Sequence, residues 1–218
     1  MPKKKFYIVI LLSIFSLPAV AQMEPLDISL PQPMFVGTPS NFAVENLEEP
    51  LGEARPPFLA PFGTENVALE KAVTSSFEPR IGELWRITDG YKEATSYSFV
   101  ELGGGHQYIT IDLEDIYTIY AITIWHYHMS ARVYLDMVVQ VSDDPDFIMD
   151  IKTVFNNDTD NSLGLGVGED FNYVETFEGK LIDAKGITGR YVRLHGNGNT
   201  DNEFNHYIEV GVYGKAVN

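Results

Sequence analysis

Residues 190–214, RYVRLHGNGNTDNEFNHYIEVGVYG, decide how the rest of the chain is read. Val192 and Leu194 alternate with Tyr191 and Arg193, and Ile208, Val210 and Val212 alternate with Tyr207, Glu209 and Tyr213. A period of two is that of a β-strand with one buried face and one face that is wet or covered by a second layer. Between the two runs lies GNGNTDNEFN, whose Gly and Asn residues tolerate positive φ. The stretch predicts a closing pair of strands joined by a polar loop at the rim of a β-sandwich.

Upstream the same grammar repeats. Strands are expected at 66–69, 72–76, 108–113, 119–128, 133–142, 151–155, 173–176 and 180–184, and Asp143-Asp144-Pro145-Asp146 reads as a turn. Residues 83–89 can hold one helical turn. Val, Ile, Tyr and Phe crowd these runs, and no long segment of 3.6-residue period interrupts them. The expectation is an all-β, antiparallel jelly-roll sandwich over 64–218. Residues 22–63 differ. Eight prolines, at 25, 31, 33, 39, 50, 56, 57 and 61, remove amide donors and bar this stretch from a sheet centre. It reads as an irregular Pro-rich arm or linker, and packing on the domain and wandering in solvent both stay open.

Charge and composition exclude much. Formal net charge is −16, and three N-terminal lysines are the only charges before residue 22. A field of that sign repels phosphate backbones and anionic lipids, so nucleic acid and membrane surfaces are poor partners. The chain has no cysteine, so a disulfide framework and thiolate chemistry are excluded, as is a lipid-modified cysteine. Lys3-Lys4-Lys5, the apolar run 6–17 and Pro18-Ala19-Val20-Ala21 follow the order of a secretory signal. Cleavage is expected after Ala21, giving a secreted, periplasmic or cell-surface protein with no membrane insertion after cleavage.

Several stretches resemble one family. NVALEKAVTSS at 66–76 is similar to the opening NVALGKPVTASS of the coagulation factor 5/8 type C, or discoidin, family. ITDG at 87–90 resembles its ATDG or VTDG turn, TIDL at 110–113 its QIDLG, and YVRL with EVGVYG its last two strands. The resemblance spans about 64–215 and looks closest to a secreted bacterial subgroup. It implies a galactose-binding-like sandwich of eight core strands, and a non-catalytic module that binds a carbohydrate or glycoconjugate. In some animal members the ligands are lipid heads or protein partners. Many members hold one structural Ca²⁺ between the DG loop and the glutamate of the last strand. Carried over, that implies Asp89 and Glu209, with Thr95 or Ser96 as weaker ligands. The family's second aspartate is Tyr91 here.

A sugar site needs an aromatic face for the CH side of a pyranose and planar hydrogen-bonding groups for its hydroxyls. Rim loops offer Trp85, His106 with Tyr108, His126 with His128, Arg132 and Tyr134, and Asn197, Asn199, Asn205 and His206. His128 and Arg132 are the first choices. His126 and His128 stand two apart, on one side of an expected strand, and with His106, His195 or His206 offer a zinc or copper set. Asp158, Asp160 and Ser162 with Glu169 imitate an EF-hand spacing. Leu163 replaces its glycine, so a solvated acidic loop is the better reading. No acid/base carboxylate pair stands out, so an enzyme is not expected. A structural or adhesive protein-interaction role for the arm is the main alternative to sugar binding, and a glycan-active enzyme ranks last.

Overall fold

The structure is a computed structural model that describes residues 22–39 and 41–217; the expected signal segment lies outside them. Among the described residues eleven strands form: β1 Met23–Pro25, β2 Leu59–Pro61, β3 Glu65–Asn66, β4 Ala72–Ser75, β5 Val100–Gly104, β6 Gln107–Trp125, β7 Val138–Ser142, β8 Lys152–Asn156, β9 Lys180–Gly196, β10 Phe204–Tyr207 and β11 Glu209–Ala216. One 3₁₀ turn, Leu84–Thr88, sits where a helical turn is expected. Among the described residues no helix is long and apolar enough to cross a membrane.

The architecture hangs on β6 and β9, which pair antiparallel along most of their length. Each carries an irregularity. On β6, four residues from Leu113 to Ile116 bulge out opposite Arg190, with Glu114 at φ 71°. On β9, Ala184, Lys185 and Gly186 bulge out, with Lys185 and Gly186 at positive φ. Bulges bend a strand and sharpen its twist. Both strands therefore serve two layers. Their 107–112 and 191–196 halves pair with β4 and β7, and β7 carries β8. The 117–125 half of β6 pairs with β11, which carries β3. Ile109, Ile111, Val139 and Val192 from the first layer share one buried cluster with Ile119, Ile122, Val210 and Val212 from the second. Two antiparallel layers thus face each other over a single core.

Several sequence expectations change, and of the strands expected at 66–69 and 173–176 only Asn66 lies in a strand. The runs 190–194 and 208–213 are not paired to each other, because β6 lies between β9 and β11. The loop joining them is long enough to cross that strand and to place β10 on β5. The runs 108–113 and 119–128 are one strand that ends at Trp125, so His126 and His128 leave the alternation of the sheet. Residues 133 and 134 make only isolated bridges, to Val174 and Asn199.

The Pro-rich segment is packed. β1 pairs with β2, so its two ends fold back on one another. Ile28 rests on the cluster of Trp125, Ile208 and Ala94. Further on, 45–48 runs beside Asn172: the Asn172 N–H donates to the Asn46 carbonyl, the Glu48 N–H to the Asn172 carbonyl, and the Asn172 side-chain amide to the Glu45 carbonyl. A segment that cannot join a sheet finds its backbone partners one residue at a time.

Candidate functional site

The sequence-selected histidines and Arg132 fall mostly beneath the surface. Tyr134 is buried and stacks on the His126 ring at 4.1 Å between centroids. His206 is buried between Tyr134 and Glu101: its Nε2 lies 3.1 Å from Glu101 Oε2 and its Nδ1 3.2 Å from the Tyr134 hydroxyl. A carboxylate only accepts, so Nε2 carries the proton and the tyrosine donates to Nδ1. Burial, first, and the Arg132 and His126 charges push the His206 pKa down to about 4, which keeps the ring neutral. His126 donates from Nδ1 to Glu175 Oε2 at 2.9 Å, with both side chains at 1% exposure or less. His126 Nε2 and Glu175 Oε1 have no further partner.

Arg132 is also buried: one terminal nitrogen meets both Ser130 Oγ at 2.8 Å and Asp201 at 2.9 Å, while its Nε has no partner. Asn199 is buried and braces its own loop through the Phe204 carbonyl and Asn202. His128 is fully buried and bonds the Lys92 carbonyl at 2.9 Å, on a different side from the partners of His126. The reason is local: past Trp125 the chain has left the sheet, and two-residue spacing no longer sets direction. Trp85 and His106 are exposed. The Trp85 indole N–H meets Glu83, and the Arg86 guanidinium lies 5.1 Å from the ring. His106 Nε2 is 3.0 Å from Nδ1 of His195, a buried ring driven down to a pKa of about 3, chiefly by burial.

Asp89 and Glu209 come together, as the resemblance implies. The N–H of Gly90 donates to Glu209 Oε2 at 3.1 Å, while Asp89 accepts the N–H of Tyr91. Glu209 is fully buried, and its Oε1 has no partner. Burial raises its pKa to about 8, and the charge of Asp89 adds to the rise. Ser96 lies exposed further along the same loop.

The acidic loop is only partly solvated. Asp158 is fully buried and accepts the N–H groups of Ser162 and Leu163, so it caps its own turn. Asp136, Asp158 and Asp160 each place an oxygen within 4.8 Å of the others.

Sequence reasoning did not reach a recess that lies between the arm and the body. It measures about 600 Å³, within the roughly 300–1,000 Å³ of small-molecule sites. One wall is body, from Tyr173 to Leu181, and the other is arm, including Phe35, Glu49 and Glu53. The body wall is fixed from below. The Trp125 indole N–H donates to the Phe177 carbonyl at 2.9 Å, and the Gly179 N–H to the Thr176 carbonyl. Gly179 stands at φ 63°, and a Cβ there would lie 2.7 Å from the Ile124 carbonyl oxygen, so only glycine closes this turn. The arm wall is tied by Arg55, which donates to the Gly179 carbonyl at 2.8 Å, and by Glu48, paired to Lys180 at 2.7 Å. The signal available in the sequence was Phe177-Glu178-Gly179, a turn ahead of a strand. Nothing local said that the arm would face it.

No protein-family model matches the chain, and no curated protein matches it. Solved structures do. A family 89 glycoside hydrolase from Clostridium perfringens aligns at TM-score 0.53 and 17% identity, over 70% of this chain and 15% of that one. The chain therefore spans a small fraction of that enzyme's length. CpGH89CBM32-4 from Clostridium perfringens, in complex with GlcNAc-α-1,4-galactose, aligns at 0.52 and 16%, over 71% of this chain and 96% of that one. A mutant of chitosan-binding module 1 from a Paenibacillus sp. IK-5 chitosanase/glucanase aligns at 0.50 and 23%, over 69% and 99%. The likeness shows the fold: an all-β, galactose-binding-like, discoidin-type sandwich.

Proposed function

We propose that the chain is a secreted, non-catalytic carbohydrate-binding module. The observation that carries this reading is the recess, where Phe35 of the arm and Phe177 of the body line one cavity with hydroxyl and carboxylate residues. Aromatic rings take the CH face of a sugar, and convergent polar groups take its hydroxyls. Two structures of like fold, each matched over nearly its whole length, are named for a bound disaccharide and for chitosan binding, which supports the assignment. The purified chain is expected to bind members of a glycan array, with solution affinities confirmed by calorimetry. Silence toward every glycan, with and without Ca²⁺, sets the reading aside.

A structural Ca²⁺ at the Asp89–Glu209 corner is part of the proposal. The unpartnered, buried Oε1 of Glu209 and the nearby Asp89 carboxylate suit a hard cation, with carbonyls completing its roughly six to eight oxygens. When bound, the ion supplies positive charge that lets Glu209 ionise. Its folded pKa of about 8 lies above the ordinary 4.5, so without metal its stabilising contribution is complete below pH 4.5 and lost as pH rises through 8. At a hundredfold excess over Kd, Ca²⁺ is expected to raise Tm by about 5–10 °C. The rise is expected to be larger at pH 8 than at pH 6 and absent in Glu209→Gln. Differential scanning calorimetry reads all three.

A further inference from the structure

We infer that the recess between the arm and the 173–181 wall is the saccharide site, and that it selects sugars bearing free amino groups. This rests on the carbohydrate-binding reading and deepens it. The selection follows from which charges are already spent. Both cations of the recess have a carboxylate acting on them, Glu178 on Arg55 and Glu48 on Lys180. Arg55 bonds the Gly179 carbonyl, and its backbone N–H meets the Glu178 carboxylate, while Lys180 is paired with Glu48. Lys180 also sits 4.7 Å from the Tyr173 ring centroid, against the floor. That leaves Glu49 and Glu53, which line the recess and have no ion pair or side-chain hydrogen bond among the described residues. The free charge of the site is therefore negative, in a chain whose net charge is −16.

Such a site ranks its ligands. An ammonium on the sugar ring gains attraction from both carboxylates, and from the π-faces of Phe35 and Phe177 where they meet it. A neutral sugar loses that gain and keeps the ring contacts. A uronate is repelled. Exposed charge pairs contribute about 0.2–1 kcal/mol each, so two of them predict a preference of roughly two- to thirtyfold that shrinks with added salt. The arm is more than a tether. It supplies both selecting carboxylates and one of the two rings.

The test titrates the full chain with a glucosamine tetrasaccharide, its N-acetylated form and a uronic-acid tetrasaccharide, in low and high salt. Wild type is expected to bind in that order, and Glu49→Gln/Glu53→Gln to bind the first two about equally. Phe177→Ala is expected to weaken both by tenfold or more, with an unchanged circular dichroism spectrum and melting curve. Saccharide binding that none of these variants alters overturns the site while leaving the carbohydrate-binding reading intact. Binding of no saccharide overturns both. An oligolysine peptide that binds more tightly than the amino sugar, and is lost in the same variants, overturns the saccharide class and makes the recess a peptide site.

Discussion

Replacement of Glu175 by alanine is expected to lower the melting temperature by roughly 6–20 °C. Glu175 and His126 are sealed from water and bonded at 2.9 Å, so removing the carboxylate strands a buried imidazole N–H. Breaking one side of a buried pair costs about 3–5 kcal/mol, and each kcal/mol shifts Tm by about 2–4 °C in a chain of this size. The surroundings cannot absorb the change. His126 is stacked on Tyr134 and tilted against Tyr207, whose centroid is 5.0 Å away, and the Glu175 N–H already serves the Arg132 carbonyl. Replacing both partners with apolar residues, as in His126→Phe/Glu175→Leu, is expected to recover a large part of the loss. Urea titrations of the three variants check this. A loss below about 1 kcal/mol for Glu175→Ala would show that the pair is not the clamp its burial implies.

Acid is the second large effect. His195 and His206 have folded pKa values of about 3 and about 4, depressed first of all by burial. The ordinary value is 6.5, so between pH 6.5 and those values the unfolded chain binds protons that the native state refuses. Their contribution is complete above pH 6.5 and is lost as pH falls toward 4 and then 3. Each tenfold loss of proton affinity on folding is worth about 1.4 kcal/mol, so the two rings together contribute several kcal/mol. The urea midpoint is therefore expected to fall steeply from pH 6.5 to 4. His206→Gln is expected to be less stable at pH 7 and to show a shallower fall. A wild-type midpoint that stays level over this range would mean that neither ring is held neutral.

Legibility in the sequence followed locality. The layers were readable because two-residue alternation survives burial, as in Val192 and Leu194 or Val210 and Val212. The Asp89–Glu209 corner was readable through the resemblance, although the two residues are far apart along the chain. What failed was direction past a strand end. Alternation placed His126 and His128 on one side of a rim, yet each turned inward to its own partner. Arg132 looked free because its anion, Asp201, lies on a distant loop. The recess was invisible for the same reason: its walls meet through contacts such as the three hydrogen bonds of Asn172 to a proline-broken segment more than a hundred residues earlier.

The pairing of β3 with β11 sets Glu65 opposite Gly214, so the body begins and ends side by side, on the edge strand and its neighbour. A polypeptide carrying this body as an insert enters and leaves at nearly the same point, and the host chain need not stretch to accommodate it. The same adjacency lets a short peptide weld the two ends and the chain be reopened at an exposed turn such as 160–166 without unthreading either layer.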